Sequence, residues 1–589
     1  MTHFTDRDVQ GYIHHALTDA QRETMNHHMQ SCGECRAYLQ MAEMQRRRFA
    51  TDLADEIRRS RPSDRMRFAA IKPGLNRRRR WAFVHFHSIQ VLSALGTVTT
   101  IVAFLFLGFY ALGLSAVNNP APAINEQATL SPGLVKLFAE AWDDPTPYQA
   151  GLLDSQQDAL ALLATAPVYH IEITFSDDLR QLDGRQQVRY VNTTEVTLTN
   201  LIFHLYPNLS HESLAVYDVE VDGRPVVPQL LNQTRHVQIN LPRPLPPGQT
   251  AILEMAFEWR SQPASALPAE ITHLAQFHPV LALYRAERGW DMTLPTQNLP
   301  FATAPGFYHV RVNAPANQQI VSAGLITGQE LAGNGPLPRQ VVTIAAGPVH
   351  TFYLAISHRF QAVVSGTAGE TRLNSYAFTP AQLANAQLAL TLAQTAVAQY
   401  NQLFGPYPYT ELDIINLPNL AHAYQGAAYP GVMVLEHDPF LYHPDGREQM
   451  IYFQVASQWF VPPAAASQLQ NPWLADGLAA YASHYAYGDN DTAVANLNQR
   501  WQTRAQAAYG PLDLPAAVYT NLGYYNMTQG QSPLFFASLA ETMGQAAFVT
   551  FLADYGQTYR WRGADADAFR QLAADHCQCD LTALLDRNP

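Results

Sequence analysis

Cysteine is scarce, with four in 589 residues, which excludes a disulfide framework as the main source of stability. The four fall into two pairs, Cys32/Cys35 toward one end and Cys577/Cys579 toward the other. A bridge across C-x-C closes a small strained ring, so the second pair reads as two ordinary thiols. Charged residues are few as well, 15% against 47% hydrophobic ones, and this balance excludes wholesale disorder. Charge is missing altogether from Trp81 to Asn125. No two histidines stand four apart, and no nucleophile elbow or other hydrolase pattern is present. The length allows roughly three to four domains at about 150 residues each.

The formal net charge of −12 is unevenly spread. Residues 1–85 hold 16 Lys+Arg against 10 Asp+Glu, leaving 21 against 39 for the rest, a basic front and an acidic back that suit two compartments. Within the uncharged stretch, Ile89–Leu114 is long and apolar enough to cross a hydrocarbon layer of ~30 Å as a helix. Mostly polar sequence precedes it, which argues against a cleavable signal peptide. Arg77, Arg78, Arg79 and Arg80 stand directly before this span, and Ser115–Glu126 after it carries no positive charge. The positive-inside rule therefore places residues 1–85 in the cytoplasm and residues 115–589 outside it. Topology explains the arginine run, and no direct nucleic-acid binding is expected from it.

The segment from His28 to Cys35 reads H-x₃-C-x₂-C. A His and a Cys four apart on a helix share one face, and a turn at Gly33 lets Cys35 fold back toward them. Three such donors suit tetrahedral Zn²⁺, with His3, His14, His15 and His27 as candidates for the fourth. This motif, with Tyr12-Ile13-His14-His15-Ala16-Leu17 ahead of it, resembles the zinc-binding anti-sigma-factor domain of bacterial membrane regulators. The resemblance covers residues 1–45. It implies a small helical zinc domain with ligands His3, His28, Cys32 and Cys35, a sigma factor or comparable transcription protein as cytoplasmic partner, and a cytoplasmic-membrane location. Residues 46–88 read as an arginine-rich tether broken by Pro62 and Pro73.

Residues 115–165 read as a linker with short helices at Leu134–Trp142 and Gln156–Thr165, separated by Pro145 and Pro147. From Val168 the period changes to two. Tyr169–Phe175, Val188–Tyr190, Val196–Leu205, Tyr217–Val221, Val237–Leu241 and Ile252–Trp259 predict strands, as do Tyr308–Val312, Gln340–Ala345 and Phe352–Ser357. Past Thr379 the chain turns helical, with a long helix over Pro380–Leu403. Strands followed by helices predict a β domain over 166–365 and a mainly helical one over 366–589. The expected fold class is therefore multidomain: a helical zinc head, one membrane helix, a β-sandwich and a helical module.

This order resembles the gluzincin aminopeptidases, the family of aminopeptidase N, in which a saddle-like sandwich precedes a thermolysin-like domain. The resemblance rests on Leu205-Tyr206-Pro207-Asn208, Val219–Gly223, Leu245–Gly248 and Phe277–Asp291, and on a helical frame with Trp459-Phe460 and Trp473-Leu474-Ala475-Asp476-Gly477. That family's zinc helix reads H-E-x-x-H, with a Glu after eighteen further residues. Here eighteen residues also separate Ser457 from Asp476, but Phe453 and Ser457 stand at the two His positions and Gln454 at the general base. Asp476 keeps a carboxylate. Ala428 stands where relatives have the Glu that binds a substrate amine, in Gln425–Gly431. Met527 stands at the transition-state Tyr, with Tyr524 and Tyr525 close by.

A single carboxylate cannot hold Zn²⁺ against water, so no metal is expected in this half and no catalysis by its degenerate site. The reading that follows is a single-pass membrane regulator with an outer, non-catalytic aminopeptidase-like domain that binds a peptide or protein ligand. Two other readings compete: a structural subunit of a membrane complex, and a residual zinc metallopeptidase.

Overall fold

The computed structural model describes residues 141–581, apart from stretches at 210–211, 262–270, 296–300, 333–337, 361, 379–381, 418–425, 437–443, 509–510 and 578, together with Glu23, Met25 and His27. The chain divides into two units, Met1–Leu134 and Val135–Pro589. Of the first, the three described residues are helical, with Met25 buried and Glu23 and His27 exposed. The expected zinc ligands His3, His28, Cys32 and Cys35, the tether and the span Ile89–Leu114 lie outside the described residues. Among the described residues no single helix is long and apolar enough to cross a membrane.

Alternating side chains build the first half of the second unit. Strand β1 (Val168–Phe175) pairs antiparallel with β2 (Gln181–Val191), Val168 facing Arg189 and Phe175 facing Leu182. With β4 (Glu212–Val221), β5 (Arg224–Val226), β8 (Thr250–Ser261), β13 (Gly306–Pro315), β15 (Leu325–Ala332) and β16 (Arg339–Val349) they form an eight-stranded sheet in the order β15-β16-β13-β1-β2-β8-β4-β5. In β8 every second residue from Ala251 to Trp259 is buried, the two-residue period of a half-covered strand. Phe257 of that row packs over Gly184, where a Cβ would collide with its ring, so β2 carries glycine there.

A four-stranded sheet holds β3 (Leu198–His204), β6 (Gln229–Leu231), β7 (His236–Leu245) and β10 (Val280–Leu281). A three-stranded one holds β9 (Thr272–Ala275), β14 (Gln319–Ser322) and β17 (Tyr353–Ser357). Strands β11 (Tyr284–Arg285) and β12 (Gly289–Trp290) make a separate hairpin. These sheets share one apolar core with the helices that follow.

The expected linker is fastened where it is described. Ala141 and Trp142, at the end of the first predicted helix, are not helical, and α1 (Thr146–Gln149) begins after Pro145 instead, because proline is tolerated in a first helical turn. Helix α2 is short (Asp158–Leu162). Leu153 N–H donates to the Pro408 carbonyl at 3.0 Å and Thr410 N–H to that of Gly151 at 3.1 Å, while Arg189 Nη1 meets Asp143 at 2.5 Å. The segment thus binds both the sandwich and the helical half.

The helical half contains a sheet that the sequence reading did not expect. Strands β18 (Ala362–Ala368), β19 (Thr371–Ala377), β20 (Glu411–Leu417), β21 (Gly426–Tyr429) and β22 (Val432–Glu436) lie in the order β18-β19-β20-β22-β21, with β20 parallel to both β19 and β22. The expected domain break at 365/366 therefore falls inside β18. Helix α3 (Leu383–Phe404) buries Ala386, Ala389, Leu390, Ala393, Ala396, Val397, Tyr400 and Phe404, the helical three-four spacing, and ends at Gly405 with φ 87°. Then come α4 (Pro444–Ala464), α5 (Pro472–Ala482), α6 (Asp491–Ala507), α7 (Asn521–Asn526), α8 (Ser532–Met543), α9 (Gln545–Tyr559) and α10 (Ala566–His576). Beyond α10, Cys577 and Cys579 are joined in a disulfide rather than left as thiols, their Cα atoms 5.1 Å apart, within a bridge's reach.

Candidate functional site

Helices α4 and α5 pack against each other, and the edge strand β21 lies over α4. This brings together the positions singled out in the sequence. Phe453, Gln454 and Ser457 lie on α4, with Phe453 and Ser457 one turn apart on one face. Asp476 lies on the fully buried α5, and Ala428 on β21.

The chemistry of the face is spent internally. Ser457 Oγ donates to the Phe453 carbonyl at 2.8 Å, a bond back along its own helix. Gln454 is 1% exposed and sits so close under β21 that a Cβ on Gly426 would stand 3.1 Å from its Nε2. That Nε2 has no acceptor among the described residues. Gln458, one turn on, ties the helix to the strand pair: its Nε2 donates to the Tyr429 carbonyl at 3.0 Å, and its Oε1 accepts from Tyr407 Oη at 2.9 Å. Burial pushes the Tyr407 phenol well above its ordinary value, so it remains a donor at any biological pH.

Asp476 is 6% exposed and engaged on both oxygens. Tyr524 Oη donates to Oδ2 at 2.7 Å, and Gln468 Nε2 reaches Oδ1 at 3.4 Å. Of Tyr524 and Tyr525, it is Tyr524 that reaches Asp476. Met527 is buried in a π-helical turn (Met527–Gln531) packed on α5 and α6, where its sulfur accepts from Ser532 Oγ at 3.2 Å. Tyr525 turns to Arg504, whose guanidinium lies 4.8 Å from its ring centre. Sequence reasoning identified the frame but not Gln468, Gln458 or Tyr407. Their only signal is position, one turn from a site residue for Gln458 and in the turn between the helices for Gln468.

The residues do not fit a zinc ion. A phenyl ring, an amide and a hydroxyl already bonded to its helix offer no thiolate or imidazole, and the one carboxylate is held by Tyr524 and Gln468. Among the described residues no three His, Cys, Asp or Glu side chains are grouped to hold a metal.

No family model matches the chain, and no curated protein matches it. Solved structures do. An M1 zinc metallopeptidase from Deinococcus radiodurans is 20% identical, with a TM-score of 0.51 over 74% of this chain and 94% of that one. A mutant from that organism, bound to a Tyr-Ser-Ala substrate, is 19% identical, with a TM-score of 0.52 over 75% and 95%. A two-domain M1 zinc metallopeptidase mutant bound to L-arginine gives 19% and 0.51, over 74% and 93%. Strand order, helical frame and these neighbours converge on one statement: the chain has the fold of the M1 zinc metallopeptidases.

Proposed function

We propose that this chain is a single-pass membrane regulator whose outer, aminopeptidase-like module binds a peptide or protein without cleaving it. Its zinc-binding head engages a sigma factor or comparable transcription protein inside a bacterial cell. The observation that carries the outer half is the face of α4, where an M1 fold presents Phe453, Gln454 and Ser457 in place of a His-Glu-His zinc set. A fold kept while its chemistry is removed leaves a shaped surface, and shape binds. Neighbours of this fold are bound to a Tyr-Ser-Ala substrate and to L-arginine, which favours a peptidic ligand. The inner half of the reading rests on H-x₃-C-x₂-C at His28–Cys35 and on the arginine run before Ile89–Leu114.

Zinc content of the full chain in detergent tests this reading. The expected result is about one zinc per chain, lost in Cys32→Ser/Cys35→Ser and unchanged in Asp476→Asn, with no aminopeptidase activity. Zinc that survives the cysteine changes and leaves with Asp476→Asn would return the outer module to the metallopeptidases.

A further inference from the structure

His204 ends β3 and His236 begins β7, and the two are direct cross-strand partners. Tyr206, two residues beyond His204, joins them. The His204 and Tyr206 rings stack at 4.8 Å and 13°, and the two imidazoles lie 4.9 Å apart. All three side chains are buried. His204 Nδ1, His236 Nε2 and Tyr206 Oη have no hydrogen-bond partner among the described residues, and Asn232 Nδ2 lies 3.2 Å from His236 Nδ1. Unpartnered buried nitrogens are tolerated here because the imidazoles are neutral; a proton on either would leave a charge without water.

What covers the pair is the end of the β11–β12 hairpin. The backbone of Asp291 faces His204, and the backbone of Met292 faces His236. The same hairpin grips the helical half. Arg285 Nη2 donates to the Ala466 carbonyl at 2.5 Å. Asp291 Oδ2 accepts from Arg285 Nε at 3.1 Å and from Gln470 Nε2 at 3.4 Å. Ala466 and Gln470 flank Gln468, the residue that reaches Asp476. One element therefore caps two buried imidazoles at one end and holds the turn between α4 and α5 at the other.

We propose that His204 and His236 form an acid-sensitive latch, in which protonation releases the β11–β12 hairpin and loosens its hold on the turn between α4 and α5. The inference is independent of whether the outer module binds a peptide. The latched pair resists protonation. Burial, with His236 alongside, holds His204 down to about 3, against an ordinary 6.5, although the Asp291 carboxylate and backbone pull the other way. Burial also lowers His236, helped by the neighbouring Arg235 cation and opposed by the Met292 backbone. Tyr206 stays a neutral phenol, since burial and the Asp291 charge both raise it.

Released imidazoles regain their ordinary affinity for protons. The open state then binds protons that the latched state does not, so latching is fully stable above pH 6.5 and weakens as pH falls toward 3. From pH 7 to pH 5 the open fraction rises about 25-fold from His204 alone, and His236 acts in the same direction.

Hydrogen exchange of the full chain in detergent, at pH 7 and pH 5 and corrected for intrinsic rates, tests the latch. Amides of residues 283–293 are expected to accelerate by about 25-fold or more, while those of β1 and β2 do not. His204→Phe, which keeps an aromatic stack on Tyr206 and removes the titration, is expected to abolish most of that gain. Equal acceleration in the hairpin and in β1–β2 would mean global acid unfolding and overturn the proposal, as would an unchanged pH response in His204→Phe. Because the two segments are compared within the unaltered chain, the result stands even where the variant fails to fold.

Discussion

The face of α4 and the cap over β3 and β7 are both buried, yet they treat ionisable groups in opposite ways. On α4, positions that in the resembling enzymes hold two imidazoles and a carboxylate carry Phe453, Ser457 and Gln454, none of which titrates at biological pH. Under the hairpin, two imidazoles and a phenol lie beside Asp291, which Arg285 holds, and three of their polar atoms have no partner among the described residues. The first arrangement places no charge on the α4 face, so its burial cost does not change with pH. The second carries a desolvation cost that grows as the medium turns acid. The α4 face carries no titratable group at these three positions, while the buried titratable groups sit where the hairpin meets both the sandwich and the turn between α4 and α5.

The largest effect is expected from installing a His-Glu-His set on α4. In Phe453→His/Gln454→Glu/Ser457→His, with Asp476 already in place, the α4 face is expected to gain about one zinc per chain beyond any held by the head, read by metal analysis. No gain would mean that α4 and α5 do not present a metal frame.

Trp459 belongs to the part of α4 that is pure scaffold. It is fully buried, and its Nε1 donates to the Gly405 carbonyl at 3.0 Å, anchoring the end of α3. Trp459→Ala is expected to lower stability by about 3–5 kcal/mol in denaturant unfolding, without any new pH dependence. Tyr524→Phe removes the 2.7 Å donor to Asp476 and leaves a buried carboxylate less well held, an expected loss of about 1–2 kcal/mol by the same measurement. The smallest effect is expected at Leu331, 83% exposed on the edge strand β15, where Leu331→Ser should stay within about 0.5 kcal/mol.

Much of this fold was legible before the structure. Long strands with one covered face announce themselves by alternation, and β8 is the clearest case. Helix α3 is legible to within a few residues, since Pro380–Leu403 is rich in the strong helix formers Ala, Leu and Gln. The sheet β18–β22 was missed for a physical reason. Its central strands β20 and β22 are covered on both faces, and their apolar residues follow one another without alternation, at Ile414-Ile415 and Val432-Met433-Val434-Leu435, so the period does not separate strand from helix. The strands β5, β6 and β10–β12 are two or three residues long, too short to show any period.

By itself, then, the sequence determined what depends on near neighbours: the strand periods, the long helix α3, and the identities of Phe453, Gln454, Ser457 and Asp476 in their frame. Only the tertiary structure decided which distant groups meet. Tyr524 reaches Asp476 from 48 residues away, His204 faces His236, and one hairpin spans from both to Ala466. Such meetings depend on how layers pack to bury apolar surface, a sum over the whole core to which no local spacing gives access.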